Sequence, residues 1–116
     1  MPNSGGCHCG AVRYRIAELG RATICHCRMC QKAFGSFFGP LVTYKGIEWT
    51  RGKPVTAASS NKVTRGFCAT CGTPLSYDWG GDLEIAIGTL DNPEDAAPVL
   101  QVNPDDRLSF FASLHT

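Results

Sequence analysis

Phe67-Cys68-Ala69-Thr70-Cys71-Gly72-Thr73-Pro74-Leu75 is the stretch on which the reading of this chain turns. Two thiols three residues apart, followed by a glycine that frees the backbone at the exit, form the knuckle of a zinc ribbon, where the turn sets both sulfurs on one side. Two sulfurs do not complete a tetrahedral site, so the knuckle needs partners from elsewhere in the chain. Five more cysteines are available, in Cys7-His8-Cys9 and in Cys25-His26-Cys27-Arg28-Met29-Cys30. Side chains two apart in an extended segment share a face, roughly 6.5–7 Å apart along the chain. Modest bending brings both sulfurs within reach of one ion at about 2.3 Å.

Joining Cys7 and Cys9 to Cys68 and Cys71 gives a closed site of four thiolates, the kind a structural zinc prefers. It would clip the first strand to a late turn across roughly 60 residues. Cys25, Cys27 and Cys30 then stand alone, and three protein ligands plus one open position is the layout of a catalytic zinc. Spacing also permits Cys25 and Cys27 to join the knuckle, although proximity along the chain favours the first division. Seven cysteines are an odd number, which excludes a fully paired disulfide framework. Met1-Pro2-Asn3-Ser4-Gly5-Gly6 lacks a basic region followed by an apolar core, so no signal peptide and a reducing, cytoplasmic compartment are expected; there such a pattern points to metal. Free buried cysteines, an iron–sulfur cluster, or a thioredoxin-like pair at Cys27 and Cys30, which would need a βαβ setting, fit the three groups less well.

The 116 residues suit one domain spanning 1–116, and 43% hydrophobic with 18% charged residues excludes a disordered or fibrous chain. A formal charge of +1, without a basic run, argues against nucleic acid or an anionic membrane as partner; seven thiolates on two Zn²⁺ would move that balance to −2. No apolar stretch reaches the roughly 20 residues of a spanning helix.

Strand signals dominate, so the expected class is all-β. Val12, Tyr14 and Ile16 alternate with arginines. Val42 and Tyr44, then Ile47 and Trp49, flank Lys45-Gly46 and read as a hairpin. Val55–Ala58 and Val63–Phe67 can pair around Ser59-Ser60-Asn61, and Leu83, Ile85 and Ile87 alternate up to Gly88. Arg28 to Phe34, stopped by Gly35, reads as a short helix, Asn92-Pro93-Glu94-Asp95 as a helical turn, and Val99 to Val102 as an edge strand. Open edges allow a homodimer. A sheet this small buries little apolar area, which metal staples would supplement.

In extended segments His8 and His26 point opposite to the flanking sulfurs, which favours exposed or supporting roles; His26 remains a candidate proton carrier or fourth ligand, and His115 is tail. Arg28 and Lys32 flank Cys30 and either are solvated or offset the charge of a three-thiolate centre and attract an anion. Phe34, Phe37 and Phe38 read as core rather than substrate wall. Asp78, Asp82 and Glu84 are possible bases that the sequence does not rank.

Gly6-Cys7-His8-Cys9-Gly10-Ala11-Val12-Arg13-Tyr14 resembles the opening of the glutathione-dependent formaldehyde-activating enzyme family. Cys25-His26-Cys27-Arg28-Met29-Cys30-Gln31-Lys32 with Gly35-Ser36, and Phe67 to Leu75, resemble its second and third motifs, and the order agrees over residues 6–90. The family shares its domain with centromere protein V. The resemblance implies zinc-stapled stacked β-sheets like those of the mammalian suppressor of Sec four. It implies a structural zinc at Cys7, Cys9, Cys68 and Cys71 and a reactive one at Cys25, Cys27 and Cys30. The implied activity is carbon–sulfur lyase chemistry, or the reverse addition, on a small thiol adduct such as S-hydroxymethylglutathione. The family's C-terminal motif, a His-rich strand and then a tryptophan, is not recognisable in Val99 to Phe111, which leaves the thiol open. The expectation is therefore a two-zinc lyase using Cys25, Cys27, Cys30 and His26 on a small thiol or thiol adduct, glutathione among the candidates. The alternative is a non-catalytic zinc module for protein interaction or metal handling.

Overall fold

The computed structural model describes residues 3–60 and 62–115. Asn61, in the turn expected at Ser59-Ser60-Asn61, and Met1-Pro2 lie outside the described residues. The strands are β1 Asn3–Gly6, β2 Arg13–Cys25, β3 Gly39–Arg51, β4 Val55–Ser60, β5 Val63–Phe67, β6 Pro74–Asp78, β7 Leu83–Ala86 and β8 Leu100–Val102. The helix α1, Arg28–Phe34, lies between β2 and β3, and short 3-10 turns include Ile87–Thr89 and Pro93–Ala96. The protein is thus mainly antiparallel β-sheet, as its alternating stretches require. Among the described residues no helix is long and apolar enough to cross a membrane.

The hydrogen-bonded path runs β1-β2-β3-β7-β6-β5-β4. β8 lies parallel to the far end of β2, pairing Thr23, Ile24 and Cys25 with Leu100, Gln101 and Val102. The expected hairpin at Lys45-Gly46 does not form. Gly46 takes a φ of 72° yet β3 runs through it, pairing with β2 from Arg51 to Gly39. A glycine with positive φ inside a strand is compatible with continued pairing when a long partner strand satisfies the ladder. β4 and β5 pair as expected, Val55 opposite Phe67, whereas Ile87 leaves β7 for a 3-10 turn.

Tyr14, Ile16, Val42, Leu75 and Ile85 come from four strands and are all fully buried. The Tyr14 hydroxyl lies 2.8 Å from Thr89 Oγ1, which donates to the Ala86 carbonyl, so the one polar tip in this core is satisfied. Cys7 stands one residue past β1 and Cys68 one residue past β5, near opposite ends of the strand order. Their sulfurs nevertheless converge, so the sheet folds over and stacks its two ends around this core.

Candidate metal centres

The Sγ atoms of Cys7, Cys9, Cys68 and Cys71 all lie within 4.8 Å of one another, and so do those of Cys25, Cys27 and Cys30. All seven are free thiols. The Cys7–Cys9 and Cys9–Cys68 separations are 3.7 and 3.8 Å, and Cys25–Cys27 is 3.5 Å. Donors about 2.3 Å from a tetrahedral ion sit about 3.8 Å apart, whereas a disulfide needs about 2.05 Å. Both donor sets therefore fit a thiophilic cation, in the division that chain proximity favoured.

Backbone turns build the first cluster. The first turn is tight rather than extended: Cys7 N–H donates to the Val12 carbonyl and Val12 N–H to Cys7 Sγ at 3.2 Å. In the knuckle, Thr70 and Cys71 N–H groups point at Cys68 Sγ, 3.4 and 3.5 Å away. Gly72 closes the turn at a φ of 79°, its N–H reaching the Cys68 carbonyl. Thr73 Oγ1 accepts the His8 N–H and lies 3.1 Å from Cys71 Sγ, linking the two turns. That hydroxyl, with the Thr73 and Cys9 backbone, draws Cys71 down to about 5. Cys9 goes up to about 11: the Ala11 backbone works to lower it, but loss of hydration and the neighbouring Cys7, Cys71 and Cys68 outweigh that. Thiols crowded without a cation push one another's proton affinities apart, and a divalent ion relieves that repulsion.

The second cluster rests on one strand end and one helix start. Cys25 ends β2, and Cys27 caps α1, its Sγ accepting the Cys30 N–H at 3.4 Å. The i to i+3 step of the first turn sets Cys27 and Cys30 on one side. The helix stops at Gly35, as its sequence anticipates. β3 begins against this turn at Gly39, where a Cβ would stand 2.9 Å from both Cys30 Cβ and the Phe34 ring. Cys30, with Cys27 N–H and the Asn103 amide 3.4 Å away, lowers Cys25 to about 5. Cys30 in turn is pushed up by Cys25 and by burial, against the pull of Arg65, whose Nη2 is 3.5 Å from its Sγ. Among the described residues no fourth ligand atom joins these three sulfurs.

Cys25 and Cys27 stand on the wall of a cavity of about 530 Å³. Leu41, Met29 and Val102 supply apolar wall, Tyr77 and Trp79 aromatic rings, and Arg21, Asp82 and Glu84 its charges. Of the three possible bases, Asp82 and Glu84 face this cavity, while Asp78 instead accepts the Gly80 N–H.

His8 is exposed, as expected. His26 is wholly buried; its Nε2 is 2.8 Å from Gln101 Oε1, its ring meets Phe111 edge-on, and it is absent from both the sulfur cluster and the cavity wall. Phe37 and Phe38 extend this aromatic group with Phe110 and Phe111, whereas Phe34 lines a second cavity against β4 and β5. Arg28 bonds Gln31, and Lys32 is exposed. The cation that meets Cys30 is Arg65, held by Ser59 and stacked over Tyr77. Arg65 and Asn103 have no local sequence signal, because each reaches its sulfur through the tertiary fold; Thr73 lies two residues from Cys71, and only its bond to His8 needs the fold. Their nearest hint is that Arg65 lies in an otherwise strand-like run.

A crystal structure of a Rhodobacter sphaeroides protein, a structural genomics target, shares this fold with a TM-score of 0.65 at 22% identity, covering 85% of this chain and 99% of that one. Residues 2–105 match the profile of the family described as "Glutathione-dependent formaldehyde-activating enzyme". With that match spanning most of the sequence and all seven cysteines, the chain belongs to the glutathione-dependent formaldehyde-activating enzyme family.

Proposed function

We propose that this chain, acting as one domain, is a zinc-dependent carbon–sulfur lyase, or a catalyst of the reverse addition, on a small thiol adduct, in a reducing cytoplasmic compartment. Cys7, Cys9, Cys68 and Cys71 would hold a structural zinc, and Cys25, Cys27 and Cys30 a reactive one. The observation that carries this reading is the convergence of three sulfurs, two of them on a cavity wall, with no fourth protein donor among the described residues. A zinc held by three thiolates is a weak Lewis acid with a position to offer, so it lowers the pKa of a bound thiol more readily than that of water.

The chain's own residues do the rest. The Asn103 amide and Arg65 guanidinium direct donors at Cys25 and Cys30 and stabilise negative charge there. Leu41, Tyr77 and Trp79 confine the adduct against the centre, and holding sulfur and carbon partner together supplies rate. His26, buried against Gln101 and Phe111, positions the Cys25–Cys27 segment, and the proton at the carbon-bound hydroxyl exchanges through water entering the cavity.

The test is exchange NMR between formaldehyde plus glutathione and their adduct, with the zinc-loaded protein. Exchange above the uncatalysed rate, abolished by Cys25→Ser in a folded variant, supports the lyase. Background exchange with both zinc ions bound would leave the non-catalytic zinc module instead.

A further inference from the structure

A row of side chains crosses the sheet beside the three-sulfur cluster. Strand register aligns Thr43 of β3 with Glu84 of β7, Glu84 with Tyr77 of β6, and Tyr77 with Arg65 of β5. Thr43, Glu84 and Tyr77 all face the cavity, and Arg65 continues the row to Cys30. At the other end Thr43 Oγ1 accepts the Arg21 N–H, where β2 shifts register between Leu19 and Ala22.

Glu84 sits in the middle of this row, half-buried. Among the described residues it has no ion-pair partner; the two pairs there are Arg13–Asp91 and Arg15–Glu48. Burial raises its pKa, and the charges of Asp82 and Cys25 raise it further, against Arg21 and a hydrogen bond with Trp79. Arg65 is already engaged by Cys30, Ser59 and Tyr77. Three thiolates around a divalent ion would add a further net negative charge beside it. A ligand carboxylate seated here would face like charge from Glu84 and Asp82 and from the sulfur cluster, against the single cation Arg21 on the wall. A ligand ammonium would neutralise a half-buried carboxylate beside the Trp79 ring, a setting that favours a cation.

We infer that Glu84 reads the substrate: the cavity takes a thiol that carries an ammonium group, an aminothiol or its adduct, in preference to an anionic thiol. This rests on the reading of the three-sulfur centre as a thiol site and adds the class of thiol. Glu84 is a specificity-determining residue, with Asp82 reinforcing it from the cavity mouth.

Calorimetric titration of the zinc-loaded protein with 2-aminoethanethiol, 2-mercaptoethanol and 3-mercaptopropionate compares three short thiols differing in charge. The aminothiol is expected to bind about tenfold more tightly than the mercaptoacid, with the neutral thiol between them. Glu84→Gln should compress that ratio to within about threefold. Asp82→Asn, farther from the protein interior, should compress it less. Equal binding of all three thiols, tighter binding of the mercaptoacid, or an unchanged ratio in folded Glu84→Gln overturns this inference alone. Failure of all three to bind overturns the thiol-site reading and this inference with it.

Discussion

The two sulfur clusters use the same residue type and the same short spacings, yet the fold treats them differently. Cys7, Cys9, Cys68 and Cys71 come from two turns at separate ends of the strand order, wrapped by backbone N–H groups and tied together through Thr73. Cys25, Cys27 and Cys30 come from one segment of six residues and meet distant side chains, Asn103 and Arg65, beside a cavity. A set that joins distant chain segments closes a large loop and supports folding. A local set closes almost nothing and is free to serve chemistry.

Breaking one cluster at a time separates these roles most strongly. Cys68→Ser should abolish cooperative folding, because structural zinc sites in small domains contribute about 10–16 kcal/mol of binding free energy that is also folding free energy. Cys25→Ser should retain native circular dichroism and a cooperative melt. Equal loss in both variants would erase the distinction.

Packing comes next. Leu75, fully buried just after the knuckle, should cost about 2–5 kcal/mol as Leu75→Ala in urea unfolding. A smaller loss would mean that the first cluster, rather than the core it closes, holds the sheet ends together.

The supporting side chains sharpen the contrast further. Asn103 adopts a φ of 54°, so Asn103→Gly keeps the backbone and removes the amide that faces Cys25. Transfer of zinc to a chromogenic chelator should become about tenfold faster for one ion per chain and stay unchanged for the other. Acceleration of both would contradict independent clusters.

The smallest effect concerns the strand that leads into Cys7. Arg13 pairs with Asp91 through two contacts of 2.9 and 2.6 Å, and Asp91 also accepts the Ser4 hydroxyl, which pins β1. Both partners are substantially exposed, so Asp91→Asn should cost about 0.5 kcal/mol at neutral pH. The Arg13 guanidinium holds the Asp91 carboxyl below its ordinary range. Its contribution is therefore present above that ordinary value, and the gap between wild type and variant should close as pH falls through the lowered one.

Local spacing made the seven cysteines legible, because i to i+2 and i to i+3 steps constrain sulfurs in turns, extended chain and first helical turns alike. The alternation of Tyr14 and Ile16 and the stop at Gly35 were legible for the same reason. β1, Asn3–Gly6, shows no apolar alternation and exists because β2 pairs with it. Lys45-Gly46 has the chemistry of a tight turn, yet a continuous ladder with β2 overrides it. Arg65 and Asn103 were not legible, since only folding brings them to Cys30 and Cys25 across 35 and 78 residues. Asp82 and Glu84 became distinguishable from Asp78 once strand register placed the cavity.

Native mass spectrometry of the wild type and Cys25→Ser, with and without a small thiol, tests the division between the clusters most directly. The account expects two zinc ions in the wild type, one in a folded Cys25→Ser, and a single bound thiol only where the second ion remains. A wild-type chain with one zinc, or a variant that keeps both ions and still binds the thiol, would contradict it.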